Sequence, residues 1–403
     1  MELPSVPAAS AGPAGCSGAL PPRARGVRVP QWGVGRRFSL AVVLAVTLLV
    51  VPRWLAGRDA DAYFDGDLAT QDPLARTVAG AVTQHPELLY YRTGSSRFDG
   101  QSAVAIYQMT LLGLGQILLS HPDKRGDYLP AMREAARRLA SPAVLAYAAG
   151  VYGHNGVVQM GEGEGHAYLG YVNLGLGMIR LFDPDTPLAG LHDRLTRELA
   201  RRLDASPQGL IETYPGETWP PDVAAVAGSI GLHGRATGTD HAALLARWAA
   251  RFESCVVDPS GLVVQRTQTG SCKPLDAPRG SGTAIAAYFI GFAVPELSAR
   301  LEKSLARRER TVLGFGGVRE YAEGFDGKGD LNAGPMVLGM SVGATGFGLG
   351  AARMNGDRTM YRDLYRSTSL LGIPVATDGR TVFATGGVLG NALLLAMLTA
   401  RAP

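Results

Sequence analysis

Three carboxylates, two large aromatic side chains and three prolines crowd one short stretch in the middle of the chain: Glu212, Tyr214, Pro215, Glu217, Trp219, Pro220, Pro221 and Asp222. Two carboxylates whose surroundings push their pKa values apart supply a general acid and a general base at a single pH. Glu217 and Asp222 are therefore expected to be the catalytic pair. Tyr214 and Trp219 offer flat faces for a sugar ring or an isoprenoid chain, and Glu212 is a further substrate contact. The prolines restrict the backbone, so ordering the loop loses little additional entropy and its side chains can be held in place. Each residue also has a plainer reading. Asp222 follows two prolines and opens a helix, where a carboxylate accepts backbone N–H bonds and complements the helix dipole. A loop tryptophan packs as often as it binds.

Outside this stretch the chemistry is thinner. Glu162, Glu164 and His166 alternate with glycine. Flexible spacing of that kind holds a metal poorly, and nothing else resembles a metal motif, so no metal is expected and His166 is taken as a substrate contact. Asp99 and Glu320 are candidates for the rim of a site. The chain has no G-x-S-x-G, phosphate loop or dinucleotide fingerprint, which sets aside serine-hydrolase, nucleotide and nicotinamide chemistry of those kinds.

The elements that must position these residues alternate between two types. Residues 102–119, 168–182, 224–235, 282–292 and 336–354 are apolar and rich in glycine and other small residues, with Gly-Leu-Gly at 113–115, 175–177 and 348–350. Residues 128–139, 188–203, 241–252 and 296–310 are amphipathic, with apolar positions three and four apart and charges between them. Glycine weakens an isolated helix, so its recurrence in apolar helices implies close helix-to-helix approach in a buried layer. Adding 72–84 and 387–398 gives about a dozen helices in two concentric layers. The fold class predicted is all-α, an (α/α)6 toroid over residues 68–403. Its loops at 90–101, 152–166, 209–222 and 315–332 would wall a funnel. Membrane spans are the competing reading of the apolar helices; each is short or carries polar residues such as Gln108, Gln116 and Asn173.

Composition bounds the rest. The 403 residues carry a net charge of +4 and are 46% hydrophobic. Much of the basic excess lies before residue 60, so no nucleic-acid partner is indicated. Residues 1–37, rich in Pro, Gly, Ala and Arg, are expected to be a disordered cytoplasmic leader. Residues 38–51 form an uncharged apolar run behind Arg36-Arg37, extending through Trp54 to residue 56. This reads as a signal peptide or, preferably, an uncleaved transmembrane anchor, leaving the toroid periplasmic or extracellular. Cys255 and Cys272 bracket an Asp258-Pro259-Ser260-Gly261 turn between two β-prone runs, predicting a small β-hairpin closed by a disulfide in an oxidising compartment.

Several segments together resemble the linalool dehydratase/isomerase family: Gly170-Tyr171-Val172-Asn173-Leu174, residues 191–203, Gly209-Leu210-Ile211 through Pro220-Pro221-Asp222, Thr237-Gly238-Thr239-Asp240 and Val257 to Gly261. Weaker similarity reaches Leu112-Gly113-Leu114, Val318-Arg319-Glu320 and the closing helix. The resemblance implies an (α/α)6 barrel outside the cytoplasm, oligomeric, using neither metal nor organic cofactor, and performing acid–base chemistry on a terpene alcohol. It brings Tyr171 into the site, standing where the family has a histidine. Thr213 and Asp222 stand where it has two cysteines.

Three readings follow. The first is an anchored carbon–oxygen lyase or isomerase acting on an alcohol, with Asp222 and Glu217 as acid and base, Tyr171 and Tyr214 as hydrogen-bonding groups and Trp219 shaping the cavity. The second is a glycan hydrolase, lyase or epimerase on the same toroid. The third is a non-catalytic envelope protein that binds a ligand or partner. A terpenol needs an apolar pocket, a glycan an open groove with aromatic platforms, and a binding protein leaves its carboxylates in caps and ion pairs.

Overall fold

The computed structural model describes residues 34–84, 96–145 and 169–403. The chain divides into two units, Met1–Leu48 and Leu49–Pro403. Helix α1, Val34–Gly57, begins in the first. In the second, α2 (Ala60–Asp65) is followed among the described residues by α3 (Leu68–Gln84), α4 (Ser96–Ser120), α5 (Arg125–Leu139), α6 (Leu169–Phe182), α7 (Ala189–Ala205), α8 (Pro220–Thr237), α9 (Ala242–Val256), α10 (Gly280–Ile290), α11 (Pro295–Ala306), α12 (Val342–Asn355), α13 (Arg358–Gly372) and α14 (Gly387–Leu398). The even-numbered helices from α4 onward pack side by side in the order α4, α6, α8, α10, α12, α14, and α14 returns to α4, closing a ring of six. The odd-numbered helices lie outside it: α3 against α14 and α4, α5 against α4 and α6, α7 against α6 and α8, α9 against α8, α11 against α10 and α12, and α13 against α12. This is an (α/α)6 toroid.

Small residues set how tightly the ring closes. A Cβ on Gly170 of α6 would stand 2.6 Å from the backbone nitrogen of Val226 on α8, and one on Gly113 of α4 would stand 2.7 Å from Leu395 on α14. A Cβ on Gly228 of α8 would collide with the carbonyl of Phe289 on α10. The backbones therefore approach where glycine recurs. The outer helices bury one stripe each, as Leu195, Leu199 and Leu203 of α7 do. The stretch Gly100–Ser120 is long and apolar enough to cross a membrane, but 89% of its apolar window is buried within the protein, where it forms one wall of the ring.

Four local features differ from the sequence reading. Helix α13 was not among the helices named there; Met360, Tyr361, Leu364 and Tyr365 form its buried stripe. The run 336–354 begins as a hairpin, Met336–Val337 paired with Met340–Ser341, and turns helical only at Val342. The run 296–310 leaves the helix after Ala306, and Glu309–Val312 pairs with Phe315–Val318 across Leu313-Gly314. The β-prone runs after α9 share a single bridge, Val257 to Val263; Val263–Val264 then pairs with Pro278–Arg279, and Thr267–Gln268 with Glu217–Thr218. Cys255, in the last turn of α9, is bonded to Cys272 with their Cα atoms 5.1 Å apart.

Candidate active site

Inside the ring lies a cavity of about 290 Å³. Its wall is built by Gln101, Val104, Gln108 and Met109 of α4, Tyr171 of α6, Ile285 and Phe289 of α10, Phe347 of α12, and Leu389 and Leu393 of α14. Leu331 and Asn332 come from the loop before α12. Most of these side chains are apolar, so the cavity suits a ligand with a hydrocarbon body and few polar groups.

Tyr171 joins this cavity to the central loop. It stands in the first turn of α6, edge-on to Phe289 with ring centroids 5.4 Å apart, and its hydroxyl donates a short hydrogen bond to Oδ1 of Asp222. Pro220 and Pro221 occupy the first turn of α8, where a missing N–H costs nothing, and they deliver Asp222 to the third position with its carboxylate buried. Burial, and then the Asp222 charge, hold the Tyr171 hydroxyl well above the ordinary tyrosine range. The phenol therefore keeps its proton and presents it to Asp222, while its oxygen retains lone-pair capacity toward a ligand.

The other predicted residues are distributed differently. Glu217 is ion-paired with Arg266 at 2.7 Å, in the strand that pairs with Thr267–Gln268. Glu212 accepts hydrogen bonds from the backbone of Gly216 at 2.7 Å and from Thr269 at 3.3 Å, which fixes the turn between them. Tyr214 and Trp219 are buried and meet edge to face at 6.4 Å. Tyr214 donates to Gln101 Oε1 at 3.3 Å, and so reaches the cavity wall through that amide. Thr213 accepts from the Trp219 backbone at 3.1 Å. Glu320 does not stand at a rim: it is fully buried, accepting from Ser281 N at 3.1 Å and Ser281 Oγ at 2.6 Å at the start of α10. Burial pushes its carboxyl up. Asn173 is likewise internal, donating to Thr196 and Ser229. The Asp99 side chain, and Glu162, Glu164 and His166 entirely, lie outside the described residues.

One cavity residue escaped the sequence reading as a functional group. Gln108 lies on the cavity wall, is fully buried, and neither its amide nitrogen nor its oxygen has a hydrogen-bond partner among the described residues. Such a group is costly unless something satisfies it, and a ligand hydroxyl can do so on both sides. Its only signal in the sequence is a primary amide inside an apolar helix.

No protein-family profile matches this chain, and no curated protein does. Among solved structures it is similar to the unsaturated glucuronyl hydrolase of Bacillus sp. GL1, an enzyme responsible for degradation of glycosaminoglycan. The TM-score is 0.49 at 14% identity, over 83% of this chain and 96% of that one. At that distance no residue here takes a role from that enzyme.

Proposed function

We propose that this protein is an acid–base enzyme that breaks or moves a carbon–oxygen bond of a small hydroxylated substrate held in the axial cavity. The observation that carries the reading is Tyr171, a residue that lines an apolar cavity holding an unsatisfied amide and whose hydroxyl is bonded to buried Asp222. For the forward step Asp222 carries a proton and the hydrogen bond is reversed, Asp222 donating to Tyr171, whose own proton passes to the substrate hydroxyl; the carbon–oxygen bond breaks, its electron pair stays with oxygen, and water leaves. The deprotonated dyad then takes a proton from the adjacent carbon, whose C–H electron pair closes the alkene, and the starting state returns. Gln108 orients the hydroxyl, and the apolar wall excludes bulk water from the cationic stage.

The cavity volume favours an alcohol of modest size over an oligosaccharide, since it lies at the small end of the roughly 300–1,000 Å³ of drug-sized ligand pockets. A glycan-active enzyme is the second reading. The same dyad could protonate a glycosidic oxygen, and the polar side chains Gln101, Gln108 and Asn332 give sugar hydroxyls a place to bond. Incubating the purified chain with terpene alcohols and with neutral and acidic oligosaccharides, and identifying products by mass spectrometry, separates the two. Alkene or allylic-isomer formation lost in Asp222→Asn supports the lyase or isomerase reading. Sugar products lost in the same variant move the protein to the glycan branch.

We also propose that α1 holds the enzyme at a membrane with the toroid outside the cytoplasm. Phe38, Val43, Leu44, Val50 and Trp54 are exposed apolar side chains on this helix. The full chain is expected to stay in the pellet on alkaline carbonate extraction of membranes; release into the supernatant would contradict the anchor.

A further inference from the structure

Three of the seven histidines of the chain meet on the outer side of the ring, away from every residue that walls the axial cavity. His192 belongs to α7, His233 to the last turn of α8, and His241 stands just before α9. His233 and His241, with Asp193 and the hydroxyls of Thr237 and Thr239, line an open cavity of about 700 Å³.

His233 Nε2 lies 3.0 Å from Asp193 Oδ1, and His233 Nδ1 lies 3.1 Å from His241 Nε2. The first contact places the His233 proton on Nε2, facing the carboxylate, and leaves the Nδ1 lone pair directed at His241. An imidazole held this way by a carboxylate is oriented for metal binding through its other nitrogen. The second contact has a matching length: two nitrogens bound at about 2.0–2.1 Å to a tetrahedral ion stand roughly 3.3 Å apart. A tautomer change at His241, moving its proton off Nε2, turns this hydrogen bond into a two-nitrogen chelate once both rings rotate so that their lone pairs converge on one point beside the N–N line.

We propose that His233 Nδ1 and His241 Nε2 form a binding site for a borderline divalent transition metal, of which zinc and copper are representatives, with Asp193 as its positioning residue. His192 is not part of the chelate: its Nδ1 faces the Arg180 guanidinium at 3.3 Å, and its Nε2 is buried on the side of Gly177, on a residue that does not line the open cavity. Arg180 is itself ion-paired with Asp193, so that pair adds no net charge beside the ion; Arg197 is a further cation on the cavity wall. Thr237 Oγ1 lies 3.4 Å from His233 Nδ1 and 2.8 Å from Thr239 Oγ1, so hydroxyls or water complete the coordination. Nitrogen donors with oxygen completing the shell select zinc, copper or nickel over calcium and magnesium. The ion would tie the end of α8 to the start of α9 across the Gly238 turn, and so brace the helix whose other end carries Asp222.

The test uses the untagged full-length chain in detergent, titrated calorimetrically with zinc chloride, with the copper(II) form examined by electron paramagnetic resonance. One ion per chain is expected, with nitrogen couplings from two imidazoles and a melting temperature raised by the ion. His241→Ala should weaken binding at least tenfold and abolish the two-nitrogen signature. Asp193→Asn should weaken it about 10–100-fold, as loss of a carboxylate that orients a ligand does. His192→Gln, which removes an imidazole of the cluster but no chelating atom, should leave both unchanged. Absence of saturable binding, binding unchanged by His241→Ala in a folded variant, or a copper signal with only oxygen couplings would each overturn the site.

Discussion

At the scale of single residues, the account rests on two polar groups set against an apolar wall. Tyr171 and Asp222 are 51 residues apart in the chain and share one short hydrogen bond. Gln108 is the second group, and its role is to hold the substrate hydroxyl and not to transfer protons. Gln108→Leu is therefore expected to raise KM up to about tenfold with kcat little changed, the size of one hydrogen bond of roughly 0.5–1.5 kcal/mol. Steady-state kinetics on the substrate identified by the product screen will read this directly. A fall in kcat with unchanged KM would assign Gln108 to the chemistry instead. Sequence spacing alone could nominate Asp222, because two prolines and a helix start fix its place. It could not reveal that Glu217 is taken by Arg266, since that partner arrives only when Thr267–Gln268 pairs with Glu217–Thr218. Tyr171 came from the resemblance, and Gln108 looked like an ordinary polar interruption of an apolar helix.

At the scale of elements, the inner helices are glycine-rich because their backbones nearly touch. Gly228→Ala places a methyl group against the Phe289 carbonyl, with no flexible side chain to yield. The expected loss is about 1–3 kcal/mol of stability, the usual size of overpacking, and denaturant unfolding will measure it. Unchanged stability would mean that α8 and α10 can part without cost. The inner layer was legible because close packing must be written in small residues, and most of the outer layer because one-sided exposure must be written in a 3.6-residue period. What escaped was governed by neither rule. Leu313 and Leu338 each adopt a left-handed conformation with φ of 53° at the first position of a two-residue hairpin turn. Leucine is not a signature of that conformation, so these hairpins read as loop or helix. The β-prone runs beside Asp258 found partners far along the chain, which local pattern does not specify.

At the scale of the whole molecule, closing the ring buries ionisable groups whose titration couples to folding. Glu302 of α11 is buried beside Asp357, and burial, followed by the Asp357 charge, pushes its carboxyl up to about 7 from an ordinary value of 4.5. Below about pH 4.5 both the folded and unfolded states hold this proton. Between 4.5 and 7 the unfolded chain releases it while the folded one keeps it, so stability falls as pH rises through that window and is level above it. Glu302→Gln keeps a donor toward Asp357 and removes the titration. The variant is expected to match the parent near pH 4 and to exceed it near pH 8 by on the order of 2–3 kcal/mol. Denaturant melts at the two pH values check this; a variant no more stable at pH 8 would show that Glu302 ionises freely in the folded protein.

The central claim is that Tyr171 and Asp222 move protons as one unit in the axial cavity, and the most direct test is the turnover of Tyr171→Phe, Asp222→Asn and the double variant on one identified substrate. The account predicts that each single change lowers kcat by about 10²–10⁴-fold and that the double variant loses little more, because a relay broken at either member is broken entirely. Turnover that survives both single changes in folded protein, or losses that multiply in the double variant, would contradict it.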